Sequence, residues 1–155
     1  MTNIQEGAKA PNFTGRNQQG EELGLKQFKG KKVILYFYPK DSTPGCTAEA
    51  CNLRDNHEIL LKKGFEIIGV SPDSMKSHQK FIEKNKLPFH LIADTEKEII
   101  KKYDVWGEKK MFGKTYEGVQ RTTFIIGEDQ TIEKIFKKVK TKDHTNQILE
   151  SIDKQ

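Results

Sequence analysis

Cysteine is close to absent from this sequence: there are two in 155 residues, too few for a disulfide scaffold. No run approaches the ~20 apolar residues of a membrane span, and the opening MTNIQEGAKAPNF has neither the basic stretch nor the apolar core of a signal peptide. The expectation is a soluble, cytoplasmic protein with reduced thiols and no membrane partner. Arginine is scarce as well, since all but Arg16, Arg54 and Arg121 of the 27 basic residues are lysine. Nucleic-acid readers lean on arginine forks and interleaved aromatics. The net charge of +5 therefore reads as a solvated lysine surface, built of scattered pairs such as Lys31-Lys32 and Lys137-Lys138, and no nucleic-acid partner is expected. Repeats, low-complexity tracts and Pro/Ser-rich linkers are missing too, which leaves one domain over residues 1–155.

Leu, Ile, Val and Phe together number 38, about a quarter of the chain, above the ~20% level of disordered sequences. Val33-Ile34-Leu35-Tyr36-Phe37-Tyr38 is a continuous β-prone run that suits a central strand buried on both faces and stops at Pro39. Apolar residues at helical spacing predict a helix from Cys46 to Lys63, ended by Gly64. A strand follows over Phe65–Val70, a helix over Ser74–Lys84, a strand over Phe89–Ile92 and a helix over Glu96–Tyr103. Thr122–Ile126 and Thr131–Phe136 flank a hairpin turn, and a last helix is expected over Asp143–Asp153. An early hairpin is predicted around Gly15–Gly24. Strands alternating with helices pair in parallel, and the late hairpin adds antiparallel strands. The fold class is α/β, a mixed central sheet flanked by helices, with functional residues expected where strands hand over to helices.

The first such turn reads Pro39-Lys40-Asp41-Ser42-Thr43-Pro44-Gly45-Cys46 and sets a cysteine in the first turn of a helix. There, unpaired N–H groups and the positive end of the helix dipole converge. An ordinary thiol with a pKa of ~8.5 is only about 3% thiolate at neutral pH, so a nucleophilic cysteine needs surroundings that favour the anion. Thr43, three residues earlier, can bring a hydroxyl to the sulfur, and Arg121, at the start of a strand in a lysine-only neighbourhood, is the candidate guanidinium. Taken singly, each has a plain alternative, a small buried cysteine and a surface arginine. Cys51 lies about 140° around the helix and about 7.5 Å along it from Cys46, about 8.7 Å between Cα atoms. A disulfide needs less than about 7 Å, so any bridge between the two requires local unwinding. His57, His78, His90 and His144 are too scattered to complete a zinc site with this Cys pair, and no metal or cofactor is expected. A thiol–disulfide oxidoreductase would want C-x-x-C where this chain has Cys46-Thr47-Ala48-Glu49.

Pro39-x-x-x-Thr43-x-x-Cys46 resembles the active-site motif of the peroxiredoxins, and Gly45-Cys46-Thr47-x-Glu49-Ala50-Cys51-x-x-Arg54-Asp55 resembles the peroxiredoxin Q, or bacterioferritin-comigratory, subfamily. The likeness extends through Val105-Trp106-Gly107-Glu108-Lys109-Lys110-Met111-x-Gly113 to Arg121-x-Thr123-Phe124-Ile125-Ile126. It implies a thioredoxin-like fold and a peroxidase acting on hydrogen peroxide and alkyl hydroperoxides. Cys46 would be the peroxidatic nucleophile, Pro39 its shield from water, and Thr43 a hydrogen-bond partner of sulfur and peroxide. Arg121 would hold the thiolate and polarise the substrate. Glu49, on the same helix face as Cys46, is a candidate orienter of Arg121, and otherwise a first-turn acid favoured by the dipole. The resemblance further implies that Cys51 resolves the sulfenic acid as an intramolecular disulfide, that thioredoxin reduces it, and that the protein is a monomer. Trp106, Met111 and Phe112 are candidates to line an apolar entrance for organic hydroperoxides, with satellite core packing as the alternative.

Overall fold

The computed structural model describes residues 2–153; residues 1, 154 and 155 of the expected domain lie outside the described residues. A five-stranded sheet forms the centre. β3 (Lys32–Phe37) lies between β4 (Phe65–Ser71) and β8 (Thr122–Ile126), with β5 (His90–Ala93) outside β4 and β9 (Ile132–Phe136) outside β8. β3, β4 and β5 are parallel, and β8 and β9 run antiparallel to their neighbours, which is the mixed sheet of a thioredoxin-like fold. The expected N-terminal hairpin is present as β1 (Thr14–Arg16) and β2 (Glu22–Gly24).

The unbroken apolar run of β3 reflects burial on both faces. Ile34, Tyr36 and Tyr38 face a layer made of α1 (Pro44–Asp55), α2 (His57–Lys62), α3 (Met75–Asn85) and α5 (His144–Asp153). Val33, Leu35 and Phe37 face α4 (Glu98–Lys102) and the N-terminal hairpin. Gly69, opposite Tyr36 in β4, makes room for the tyrosine ring, because a Cβ there would come within 2.9 Å of it.

Two expectations need correction. The long helix predicted over Cys46–Lys63 begins at Pro44 and breaks at Asn56, whose φ of −110° and ψ of 11° leave the helical region; the apolar spacing carries no mark of this break. Residues around Trp106, for which no strand is predicted, form a second hairpin, β6 (Trp106–Met111) with β7 (Lys114–Val119), turning at Phe112 and Gly113. Its strands are largely exposed and rich in charge, so the alternation that reveals a half-buried strand is missing. No helix among the described residues is long and apolar enough to cross a membrane.

Candidate active site

β3 ends at Phe37, and the chain turns through residues 39–43 into α1. Thr43 is the N-cap and Pro44 the first helical residue, where its missing N–H costs nothing. Cys46 follows in the first turn and is 1% exposed. The first turn is weakly held by local means. Thr43 gives no side-chain cap, Gly45 is a poor helix former, and no acid sits in the first turn.

What holds the turn in place comes from across the sheet. Side chains alternate along an extended segment, so Arg121, one residue before β8, shares the α1 face with Thr123 and Ile125. Its Nη2 donates to the Cys46 sulfur at 3.2 Å, and its Nη1 donates to Glu49 Oε1 at 2.6 Å. One guanidinium thus grips two positions of α1, three residues apart. Gly45 permits the approach, since a Cβ there would sit 3.3 Å from Arg121 Nη2. Burial alone would lower the Arg121 pKa, but the charges of Glu49 and Cys46 and the hydrogen bonds with them outweigh it and hold it above its ordinary value. Glu49 is fully buried, and this pushes its carboxyl up to about 7 even against the pull of Arg121.

A cleft of about 480 Å³ opens beside the first turn of α1, lined by Pro39, Thr43, Gly45 and Arg121 on one side and by Trp106, Met111 and Tyr116 of the β6–β7 hairpin on the other; the buried Cys46 sulfur is not part of its lining and is joined to it through Arg121. Thr43 is placed at the cleft, but its hydroxyl donates to the Lys40 carbonyl at 2.8 Å. That hydrogen is therefore not given to the sulfur as expected, while the oxygen retains a lone pair able to accept from a hydroperoxide. Of the three expected entrance residues, Trp106 and Met111 line the cleft. Phe112 does not. It is 97% exposed at the hairpin tip, with a φ of 52°. Lys109 also lines the cleft, and burial, with help from the Arg121 charge, lowers its pKa.

Cys51 lies in the same intact helix as Cys46, partly buried, with its thiol donating weakly to Asn85 Oδ1 at 3.7 Å. Both thiols are free. Structure and helix arithmetic agree that bringing the sulfurs together requires the first turns of α1 to unwind.

Sequence reasoning overlooked the anchor of the loop between Pro39 and Thr43. Asp41 is buried and accepts from Tyr38 Oη at 2.7 Å, Ser77 Oγ at 2.8 Å and His78 Nδ1 at 2.7 Å. His78 Nε2 faces the Ile92 carbonyl at 2.9 Å, so both ring nitrogens face acceptors and both donate. The Asp41 backbone N–H donates to Asp73 Oδ2 at 2.8 Å. The donor atoms of Asp41, Asp73 and His78 lie within 4.8 Å of one another, a spacing a metal ion could use. They are instead engaged with one another and with Tyr38, Ser71 and Ser77, which makes the cluster a clasp for the loop. Removing one partner of such a buried pair typically costs about 3–5 kcal/mol. Asp41→Ala is expected to lower Tm by about 10 °C in calorimetry; a loss of only a degree or two would contradict the clasp. Nothing local in the sequence marks Asp41, because its partners other than Tyr38 lie 32 to 37 residues away.

Residues 7–135 match the model of the AhpC/TSA family. Peroxiredoxin Bcp of Bacillus subtilis is 48% identical over 149 residues, 96% of this chain and 95% of that protein. A cysteine-to-serine mutant of Xylella fastidiosa PrxQ superposes with a TM-score of 0.91 at 28% identity, covering 99% of this chain and 98% of the other. Xanthomonas campestris bacterioferritin comigratory protein, described for its alkyl peroxide reduction activity, superposes with a TM-score of 0.84 at 33% identity over 91% and 90% of the two chains.

Proposed function

Because the chain belongs to the AhpC/TSA family and is a peroxiredoxin, a thiol peroxidase, we propose that Cys46 is its peroxidatic cysteine and that Cys51 and thioredoxin complete the cycle. The observation that carries this reading is the Arg121 guanidinium, which lines the cleft and bonds to the Cys46 sulfur at 3.2 Å.

The Cys46 thiolate attacks the outer oxygen of a hydroperoxide lying in the cleft. An S–O bond forms, the O–O bond breaks, and the sulfur is oxidised to sulfenic acid. The leaving alkoxide or hydroxide takes a proton and departs as alcohol or water. Arg121 stabilises the anion before attack and the charge moving onto oxygen during it, in a site already arranged for both. Thr43 accepts from the peroxide O–H, and Pro39 covers the cleft wall beside the sulfur. Hydrogen peroxide fits this site. Trp106, Met111 and Tyr116 add an apolar wall for alkyl hydroperoxides, the substrate class named for the Xanthomonas campestris relative.

The first turns of α1 then unwind, and Cys51 attacks the sulfenic sulfur, forming the disulfide with loss of water. The uncapped, glycine-containing first turn keeps the cost of unwinding low once oxidation has weakened the Arg121–sulfur bond. Thioredoxin, a dithiol, returns both cysteines to thiols. The protein acts as a single-domain, cytoplasmic monomer that needs no cofactor or metal.

Cys51→Ser tests the resolving role. The variant should consume one equivalent of peroxide at the wild-type rate and then stop, with no peroxide-dependent NADPH oxidation in the presence of thioredoxin and thioredoxin reductase. Unchanged steady-state turnover would remove Cys51 from the cycle.

A further inference from the structure

Among the described residues, two buried side-chain polar atoms have no hydrogen-bond partner, Glu49 Oε2 and Tyr36 Oη. Both belong to the surroundings of Cys46, and the first of them faces α5. Glu49 Oε2 lies 3.8 Å from His144 Nε2, and both side chains are fully buried.

The protonation of His144 follows from its neighbours. The Lys140 backbone N–H donates to Gln147 Oε1 at 3.1 Å, and Gln147 Nε2 donates to the Lys138 carbonyl at 2.8 Å. A backbone N–H only donates and a carbonyl only accepts, so these two bonds fix which end of the Gln147 amide is oxygen. That oxygen also lies 2.9 Å from His144 Nδ1, which therefore carries a hydrogen. In a neutral ring Nε2 is then an acceptor, and Thr123 Oγ1 donates to it at 2.8 Å. An ionised Glu49 would thus point a carboxylate oxygen at a lone pair, with no hydrogen between them and no water-exposed path for either charge. Charge counting points the same way. Arg121 carries one positive charge, while a Cys46 thiolate and an ionised Glu49 carry two negative ones, leaving a buried net negative charge. One added proton removes both the lone-pair clash and the imbalance.

We propose that the buried Glu49–His144 pair holds one added proton in the resting enzyme, and that His144 is a positioning residue through which this proton leaves the charge of Arg121 available to Cys46 and the incoming peroxide. The inference rests on the reading of Cys46 and Arg121 as the reacting pair. The proton belongs to the pair and not to either residue alone. Burial raises Glu49 to about 7 and lowers His144 to about 4, as expected of two groups that are costly to charge separately. The other titratable groups facing the pair are Cys46 on α1, Arg121 before β8 and Tyr36 on β3, whose phenol is held protonated by burial and by the nearby charges of Glu49 and Cys46.

The test is a pH titration of the whole reduced protein by NMR, following the Glu49 side-chain carboxyl carbon and the His144 ring nitrogens. In the wild type the Glu49 signal should titrate near 7, and the His144 nitrogens should move with the same midpoint. Titration of Glu49 in the ordinary carboxylate range, or His144 signals that do not follow it, would overturn the proposal without any variant. Gln147→Leu frees Nδ1 from its fixed acceptor and lets the ring turn an Nε2–H toward Glu49, so the anion gains a donor. Its Glu49 midpoint should fall by about one pH unit or more. The alkaline decline of kcat/KM for hydrogen peroxide should move down with it, whereas a purely structural role would scale the profile without displacing it. Loss of peroxidase turnover in the wild type would sink the functional reading but leave the titration to be judged on its own.

Discussion

Cys46→Ser is expected to abolish peroxide-dependent turnover, lowering it by at least about 10⁴-fold. A serine hydroxyl is not ionised at neutral pH and forms no sulfenic acid, so the reaction loses its nucleophile and its electron donor together. The fold should survive, because serine nearly matches cysteine in size and Arg121 keeps an oxygen to donate to in place of the sulfur at 3.2 Å. A circular dichroism spectrum and Tm close to those of the wild type would show that the lost activity is chemical. Cys51 cannot substitute for Cys46. It lies farther along α1, and its thiol donates to Asn85 where that of Cys46 meets the Arg121 guanidinium. Substantial peroxidase activity in Cys46→Ser would therefore mean that the chemistry lies elsewhere in the molecule.

Arg121→Lys should have the next largest effect, lowering kcat/KM for hydrogen peroxide by about 10²- to 10³-fold, or about 3–4 kcal/mol of transition-state stabilisation. The substitution keeps the positive charge but not the fork. Arg121 reaches Cys46 with Nη2 and Glu49 with Nη1 at the same time. A single ammonium cannot span both partners in that planar geometry. Stopped-flow measurement of Cys46 oxidation isolates this step from thioredoxin reduction. A lysine variant within a few-fold of the wild type would show that positive charge suffices and that the two-pronged grip on α1 contributes little.

The framework of the fold was legible because the buried strands carry continuous apolar runs. Val33–Tyr38, Phe65–Val70 and Thr122–Ile126 correspond to β3, β4 and β8 with small changes at their ends. The β6–β7 hairpin was not legible, since its exposed, lysine- and glutamate-rich strands bury little and its alternation is blurred. At the site, Pro39, Thr43 and Cys46 stand out because local spacing places them at a strand-to-helix turn, and Arg121 stands out because arginine is rare in this chain. Glu49 could be placed on the helix face of Cys46 by its spacing of three. Its burial and the resulting rise in pKa depend on α5, about a hundred residues away, and could not be read locally. Asp41, His78 and His144 were missed for the same reason. Each acts through a partner distant in sequence, and an isolated histidine or aspartate in a polar stretch carries no sign of it.

The most direct test of the central claim is the intact mass and peptide map of the protein after one equivalent of hydrogen peroxide, taken for the wild type and for Cys51→Ser. The account predicts that the wild type loses two hydrogens and yields a Cys46–Cys51 disulfide, while Cys51→Ser gains one oxygen confined to Cys46. An unchanged mass, or oxygen carried first by Cys51 or a methionine, would contradict it.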